Sequence, residues 1–489
     1  MTEPIAVVVA ALVLVATVVV PWLRLPLDGA FRQVFGRASV VVVVAAVAWT
    51  VMVALVAVFA PAVVMPAAAV AVVGVVAATW RARRLVGGGH RRPPGSLSVI
   101  GSIRALAHRD AYQVDHERYG PVFTASQFGR PVVCVVGLER GQRLLRGHRH
   151  QLGPSPLAFT DQVMGGFLRY MDDDTHDRYG PAFRLAMSRP VTDAARSIAF
   201  RTVSRELAAV TTQAQHPGPA MGRVAQATLM AALFGLDVDS PDGEVFGAVN
   251  RRFSRRTVLG GHRRTTGALR ELRTLVADQR RRLEAGDVDA VCALGEFVAS
   301  DDDLPDAVCV DNLLFMMRIG ASNLQGLLVW LVHLLAVNPQ WLDRCRDDNG
   351  GPEVVDGFVL EALRMAQSEY LYRRLTKDVD FDGLHLRHGQ LVRLCVWESH
   401  QDPTVFSEPG RCTDRFVDQR FSQSEFSAFG LDNHACNSVG LVLMAARTVV
   451  QAVAADPGME LTPATGLTRG MRHWSHWRPG DDLSWVRRA

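Results

Sequence analysis

The sequence feature that most constrains this chain is a short loop near the C-terminal end that leads into an apolar helix. Residues 426–438 read Phe-Ser-Ala-Phe-Gly-Leu-Asp-Asn-His-Ala-Cys-Asn-Ser, and the mostly apolar segment from about Val439 to Ala454 follows. A thiol at Cys436 would lie beside the peptide N–H groups of a glycine-containing turn and at the positive end of the next helix. Both features keep a sulfur ionised, so the stretch predicts a thiolate that can ligate a metal.

Cysteine usage and charge exclude several classes of protein. Seven cysteines are scattered along the 489 residues, and they form neither a C-x-x-C pair nor a zinc spacing. This pattern indicates thiols of a reducing compartment and not a disulfide framework. The net charge of +4 is too small to imply nucleic acid as a partner. Lys377 is the only lysine, and this dominance of arginine indicates a high-GC bacterial coding sequence.

The first eighty residues contain three apolar runs, which cover residues 4–23, 38–60 and 62–80. Each run is near the roughly 20 residues that a helix needs to cross a bilayer. Arginines fill the loop after the first run and follow the last run, and basic loops prefer the cytoplasmic side. About three transmembrane helices would place both arginine-rich segments in the cytoplasm. With the alternative of two spans, the two segments cannot both be placed there so simply.

The domain boundaries follow from these runs. We predict a membrane anchor over residues 1–81, a Gly/Pro-rich linker over 82–96 and a folded domain over 97–489. The linker glycines give slack, and Pro93 and Pro94 break any helix. The expected location is the cell membrane, multi-pass, with membrane lipid as a partner and the folded domain facing the cytoplasm.

Two further patterns precede the cysteine loop in chain order. Glu361-Ala-Leu-Arg364 places an acid and a base at i and i+3, where the two side chains share one helix face and can pair. Arg373 follows, and after it comes His400-Gln-Asp402-Pro403. These patterns resemble the E-x-x-R motif and the following strand and loop of the cytochromes P450.

The cysteine loop itself resembles the haem-ligating loop of that family, F-G-x-G-x-[H/R]-x-C-x-G. Asp432 and Ser438 stand where the family usually has glycines, and the matching positions are Phe429, Gly430, His434 and Cys436. The resemblance covers about residue 93 to the end and implies a mainly α-helical catalytic domain with a small β region. It also implies haem b (iron protoporphyrin IX), with the thiolate of Cys436 as the iron ligand.

The resemblance assigns roles to several charged residues. The two propionates of a haem need cations, because an unpaired carboxylate in a partly dry site is costly. By this resemblance Arg373 and His434 bind the propionates. Glu361 and Arg364 have a structural role, which is to hold the segment that positions the cysteine loop.

A third propionate contact normally comes from an H-x-x-x-R motif. His176 matches the histidine of that motif, but Gly180 stands where the arginine is expected. Arg178 and Arg184 are both candidate replacements. In the alternative interpretation, His176 is a solvated loop residue beside the acidic run Asp172–Asp174.

The oxygen-binding side of the haem is expected on a long apolar helix over Leu313–Asn338. Counting along that helix, the family's A-G-x-[D/E]-T-T pattern is replaced by Ile-Gly-Ala-Ser-Asn-Leu at residues 319–324. Gly320 is kept although a mid-helix glycine costs about 1 kcal/mol, and in the family its reason is the close approach of dioxygen. Ser322 and Asn323 replace the acid–alcohol pair. We therefore expect protons to arrive through ordered water or a substrate hydroxyl.

Three functions remain open at this level. The first is a P450 monooxygenase that hydroxylates or desaturates a hydrophobic secondary metabolite, with electrons from a ferredoxin or flavoprotein reductase. The second is a P450-fold enzyme with other chemistry, such as peroxide-driven oxidation, rearrangement, dehydration or coupling. The third is a non-catalytic haem-binding membrane protein.

Overall fold

The structure is a computed structural model, and it describes most of the chain after the linker. The described residues are 91–96, 101, 104, 105, 107–127, 130–154, 166–168, 171–254, 261–300, 304–346, 351–366, 370–432, 435–468 and 477–488. The predicted membrane anchor and His434 lie outside these residues. The three-helix anchor therefore stays a prediction.

Helices account for most of the described chain. They are α1 (Ala111–Tyr119), α2 (Leu138–Gly147), α3 (Asp173–Ala186), α4 (Arg189–Ala208), α5 (Gly218–Phe234), α6 (Pro241–Ser254), α7 (Gly261–Glu284), α8 (Ala293–Ala299), α9 (Asp306–Val337), α10 (Pro339–Arg346), α11 (Gly351–Ala366), α12 (Val396–Ser399), α13 (Arg415–Asp418) and α14 (Val439–Ala455). The described strands are β1 (Val122–Gln127), β2 (Arg130–Val136), β3 (Leu152–Pro154), β4 (Tyr370–Leu375), β5 (Val379–Phe381), β6 (Leu384–Leu386), β7 (Leu391–Cys395), β8 (Met459–Thr462), β9 (Leu467–Thr468), β10 (Arg478–Pro479) and β11 (Ser484–Arg487). The expected mainly helical fold with a small β region is confirmed.

The chain divides into two compact units. The first comprises the described parts of Met1–Val136, Arg143–Asp161 and Tyr372–Leu394. Its centre is a five-stranded sheet in the order β1-β2-β7-β4-β3. Strands β1 and β2 pair antiparallel from Val122↔Val135 to Gln127↔Arg130. The valines of β2 are buried, as expected because β-branched side chains pack well on a pleated surface.

A small hairpin in the first unit shows how local sequence sets local structure. Strands β5 and β6 pair antiparallel, from Val379↔Leu386 to Phe381↔Leu384. The two residues between them are Asp382 and Gly383, with φ of 49° and 73°. An Asp-Gly pair with both φ angles positive is the preferred two-residue hairpin turn. The arginine Arg373 lies on the neighbouring strand β4 of this unit.

The second unit is helical and is built around α9. It comprises the described parts of Gly137–Gln142, Gln162–Leu371 and Cys395–Ala489. One apolar cluster joins residues of α4, α5, α9, α11 and α14, with Trp341 of α10 and Trp485 of β11 at its edges. The helix α9 is apolar around its whole circumference over residues 327–332, as expected for a helix buried on all sides.

The long helix α9 begins at Asp306, seven residues earlier than predicted, with Pro305 at its N-cap position. Among the described residues it is the one helix long and apolar enough to cross a membrane. It lies in the core, with 61% of its most apolar window buried. Its length thus reflects packing at the centre of the second unit.

Candidate functional site

A buried carboxylate organises the segment that precedes the cysteine loop. Glu361 and Arg364 lie one turn apart on α11, and both side chains are 0% exposed. Arg364 donates two hydrogen bonds to the Glu361 carboxylate, at 2.8 and 2.9 Å. It also donates to the carbonyl oxygens of His400, at 2.9 Å, and Pro409, at 2.7 Å. The pair therefore fastens the loop over residues 400–409 to α11.

Arg415 brings a second cation to the same carboxylate. Its Nε donates to Glu361 at 3.0 Å, and its Nη1 donates to the carbonyl oxygen of Ser407 at 2.8 Å. Burial lowers the pKa of the Arg415 guanidinium, and the charge of Glu361 opposes that shift. Sequence reasoning missed Arg415, because no local signal distinguishes it from Arg411, an exposed residue paired with exposed Glu408.

The imidazole of His400 connects this network to the cysteine loop. The ring is fully buried and stacks on Phe426, with 5.2 Å between ring centroids. Its Nε2 accepts a hydrogen bond from the peptide N–H of Ser427 at 3.2 Å, so the ring proton of the neutral form belongs on Nδ1. Burial, and after it the charge of Arg364, lowers the pKa of His400 to about 3. The ring is therefore neutral at physiological pH.

The cysteine loop is closed by its own backbone. The Ser427 hydroxyl donates to the carbonyl oxygen of Gly430 at 2.5 Å, and the peptide N–H of Cys436 donates to the carbonyl oxygen of Phe429 at 2.7 Å. Gly430 has a φ of 96° and Asp432 a φ of 54°. Aspartate tolerates the left-handed region better than most residues, so Asp432 holds the positive φ that glycine would otherwise supply.

Exposure separates Cys436 from the other six cysteines, all of which lie in the part of the chain that the structure describes. Cys436 is the exposed one, three residues before α14. Burial raises the pKa of the Cys292 and Cys345 thiols to about 11 and that of the Cys309 and Cys412 thiols to about 12. Those four sulfurs stay protonated at neutral pH, whereas Cys436 lies at a helix N-terminus that favours its thiolate.

The donor set around Cys436 matches one kind of metal. Within the described residues, no group of three or more His, Cys, Asp or Glu side chains could hold an ion. A single accessible thiolate suits an iron that brings the nitrogens of its own macrocycle. The residues present thus fit a haem better than a metal held by protein ligands alone.

The central part of α9 is open where the rest of the helix is buried. Residues 318–323 are half-buried, whereas most of the helix on either side is buried. A methyl group on Gly320 would lie 3.3 Å from Cδ1 of Leu229 on α5. Close packing against α5 is therefore a sufficient reason for this glycine, and its predicted role in oxygen approach stays a prediction. The roles of Ser322 and Asn323 also stay predictions.

Aromatic side chains surround the N-terminal half of α9. Phe315 contacts both Phe167 and Phe253, with 5.7 Å between ring centroids in each pair. The Arg318 guanidinium lies over the Phe253 ring, 4.5 Å from its centroid. The buried amide of Asn312 accepts a hydrogen bond from the Leu168 N–H at 2.6 Å. These contacts place a buried aromatic cluster and one positive charge at the same end of the helix.

The two remaining predicted cofactor residues lie in different units. His176 lies on α3 and is 2% exposed, so the alternative of a solvated loop residue is wrong. Its acidic neighbour Asp172 is the N-cap of α3 and accepts a hydrogen bond from Thr175 N at 2.8 Å, which lowers the pKa of that carboxyl. Arg373 belongs to the first unit, where its Nη1 donates to the carbonyl oxygen of Tyr372 at 2.9 Å. Its propionate role stays a prediction.

Comparison with known proteins places these features in one family. The family described as Cytochrome P450 matches residues 328–439. The chain is 26% identical to pentalenene oxygenase from Streptomyces avermitilis over 34% of this chain and 42% of that protein. It is 21% identical to abscisic acid 8'-hydroxylase 1 from Arabidopsis thaliana over 70% of this chain and 80% of that protein. A cyanobacterial structure, CYP120A1 with retinoic acid bound, superposes with a TM-score of 0.65 at 17% identity, over 81% of this chain and 99% of that one.

Together the family match, the curated relatives and the solved structures support a cytochrome P450. The match spans about two fifths of the length of the Streptomyces relative. The family match includes Glu361, Arg364, Arg415 and Cys436, and a cysteine-ligated haem is what this family implies.

The first prediction concerns Arg415. We expect Arg415→Ala to lower the free energy of unfolding by about 2–3 kcal/mol, because a buried carboxylate loses one of its two cations. Urea unfolding followed by circular dichroism measures this loss. Arg411→Ala is the matched control, since an exposed ion pair contributes about 1 kcal/mol or less. Equal losses of unfolding free energy in the two variants would contradict the stabilising role of Arg415 as a buried partner of Glu361.

The second prediction concerns pH. The pKa of His400 is about 3 in the folded protein and about 6.5 in an unfolded chain. Between these values only the unfolded chain binds the proton, so the contribution of neutral His400 is complete above about pH 6.5 and is lost as the pH falls towards 3. We expect His400→Gln to reduce the slope of the unfolding free energy by up to about 1.4 kcal/mol per pH unit in that window.

Urea unfolding at several pH values between about 4 and 7 tests this slope. His385→Gln is the control, because His385 is half-exposed and pairs with exposed Asp380. Parallel curves for the wild type and His400→Gln would show that His400 titrates normally in the folded protein.

Proposed function

We propose that this protein is a haem-thiolate monooxygenase that hydroxylates or desaturates a hydrophobic metabolite. The observation that carries the proposal is the single exposed cysteine, Cys436, held on the Phe429–Gly430 turn at the start of α14. When bound, a thiolate-ligated haem supplies the activation of dioxygen for insertion into an unactivated C–H bond. Electrons come from a separate ferredoxin or flavoprotein reductase.

The chain's own residues divide the task of holding the cofactor. Cys436 is the proposed iron ligand of a haem b, and the Phe429–Gly430 turn sets the direction of its sulfur. Arg373, His434 and His176 are the proposed propionate contacts. Glu361 and Arg364 contribute indirectly, through the loop they fasten to α11.

The proposed oxygen side is the half-buried stretch of α9. Gly320, Ser322 and Asn323 are the candidate catalytic residues there. Neither Ser322 nor Asn323 ionises at neutral pH, so each can hold a water by hydrogen bonding but cannot itself act as a carboxylic acid. Proton delivery therefore passes through water or a substrate hydroxyl. This departure also supports the second candidate function, in which the protein carries out peroxide-driven oxidation, rearrangement, dehydration or coupling.

A secondary metabolite is consistent with the similarity to pentalenene oxygenase. Membership of an enzyme family favours catalysis over a haem-binding protein without turnover. For location we propose the anchor over residues 1–81, multi-pass in the cell membrane, with the catalytic domain facing the cytoplasm and the lipid bilayer as the source of substrate.

The third prediction tests the ligand. We expect the reduced, CO-treated protein to show the difference band of a thiolate-ligated haem, and Cys436→Ala to lose that band. Cys345→Ser is the matched control, because Cys345 is half-buried on α10 and should retain the band. Haem incorporation with no thiolate band in the wild type would exclude the monooxygenase, and no incorporation would exclude all haem functions.

The fourth prediction tests the oxygen side. We expect Asn323→Ala to lower product formed per reductant consumed by roughly fivefold, since it loses one hydrogen bond of about 1 kcal/mol to an ordered water. Reductant and oxygen consumption, with product formed, measure this coupling. Asn338→Ala at the C-terminal end of the same helix is the control, because its amide bonds only the helix backbone at Leu334. Unchanged coupling in Asn323→Ala would show that Asn323 has no part in oxygen activation.

A further inference from the structure

The helix α3 has a gap at Gly180 that two other side chains fill. Gly180 is buried near the middle of the helix, where glycine costs about 1 kcal/mol relative to alanine. Its φ is not among the positive values, so the backbone does not require glycine. A methyl group there would lie 3.0 Å from Cε1 of His176 and 3.3 Å from Nη1 of Arg184. The volume above Gly180 is therefore occupied by His176 and the Arg184 guanidinium.

Helix geometry explains how Arg184 reaches that position. Side chains of an α-helix tilt towards the N-terminus, so a residue covers the surface one turn before its own Cα. Arg184 is an exposed residue on the last turn of α3, and its guanidinium reaches one turn back to lie beside buried His176. Residue 180, four positions after His176, has no side chain of its own. The positive charge of Arg184 occupies the space beside it.

The Arg184 guanidinium has no counter-ion in the described chain. It makes no hydrogen bond or ion pair with another described residue. The nearby arginines of α4 differ, since Arg189 and Arg196 both pair with Asp193, at 3.4 and 2.8 Å. The alternative candidate, Arg178, lies over the ring of Tyr179, 5.3 Å from its centroid. Arg184 is therefore the cation of α3 that is positioned for an anion beside His176.

The helix that follows α3 in the chain comes close to the start of α14, just after the cysteine loop. Helix α4 follows after two residues, and the Thr192 hydroxyl on its first turn would lie 3.5 Å from a methyl group on Gly440. Gly440 is four residues after Cys436. Arg184 precedes Thr192 by eight residues along the chain, and α3 ends at Ala186 between them. The helix that carries Arg184 is thus joined by two residues to the helix that contacts the start of α14.

We infer that Arg184 binds a propionate carboxylate of the haem, together with His176, and that Gly180 provides the room for this contact. The inference rests on the proposed haem function. A guanidinium recognises a carboxylate by charge-assisted hydrogen bonds, which are strengthened where neighbouring groups are buried. In the H-x-x-x-R motif the cation would be residue 180. In this chain the cation is Arg184, one helical turn later.

The test is the rate of haem loss from the full-length holoprotein to excess apomyoglobin. We expect Arg184→Gln to lose haem roughly tenfold faster or more, because one charge-assisted contact is removed. The haem-loss rate of Arg184→Lys should lie between those of the wild type and Arg184→Gln, since lysine keeps the charge but not the planar guanidinium. Arg178→Gln is the matched control and should release haem at the wild-type rate.

Gly180→Ala gives an independent arm. Its methyl group would meet side-chain atoms of His176 and Arg184 at 3.0 and 3.3 Å, so we expect the helix to remain folded while these two side chains shift and haem loss becomes faster. Wild-type rates in both Arg184→Gln and Gly180→Ala would overturn the inference, as would equal acceleration in Arg178→Gln and Arg184→Gln. Failure of the proposed function is distinct, because the wild type would then show no thiolate-haem band with CO.

Discussion

The segment that leads from α11 to the cysteine loop depends on the buried carboxylate of Glu361. Removing a carboxylate from water costs several kcal/mol, which is offset only when its oxygens are fully paired. Two guanidinium groups and the peptide N–H of Thr413 surround it. Its partners come from α11, from α13 and from the loop between them, so the charge is satisfied only when that loop adopts one path. The ion network therefore contributes specificity of conformation more than stability.

From this carboxylate a continuous set of contacts reaches the cysteine. Arg364 holds the backbone of His400, and the imidazole of His400 holds the backbone of Ser427. The hydroxyl of Ser427 then closes the turn at Gly430, beside the carbonyl that pairs with the Cys436 N–H. Each step joins a side chain to a backbone group, so the direction of the sulfur follows from the placement of α11. Neutral His400 is essential to this path, because a protonated ring could not accept at Nε2.

Motifs with fixed spacing could be predicted from the sequence, and contacts between distant residues could not. Cys436, Glu361 and Arg364 lie in short patterns, and the helix from Val439 has a continuous apolar pattern. Arg415 has no such pattern, since its partner Glu361 is 54 residues away. The length of α9 was underestimated for a related reason. Its first two turns contain Asp311 and Asn312, whose partners are distant in sequence, since Asp311 pairs with Arg273 of α7 and Asn312 bonds the segment 166–168.

The same limit applies to a missing motif residue. In sequence, Gly180 is a lost arginine; in the structure, the missing Cβ admits the side chain of Arg184 from the next turn. A helix repeats its face every three or four residues, so a charge can move by one turn and still reach the same point in space. The proposed propionate contact needs a cation beside the imidazole of His176, and more than one sequence position can provide it. A motif records only one of them, which is why its loss from the sequence does not establish the loss of the contact.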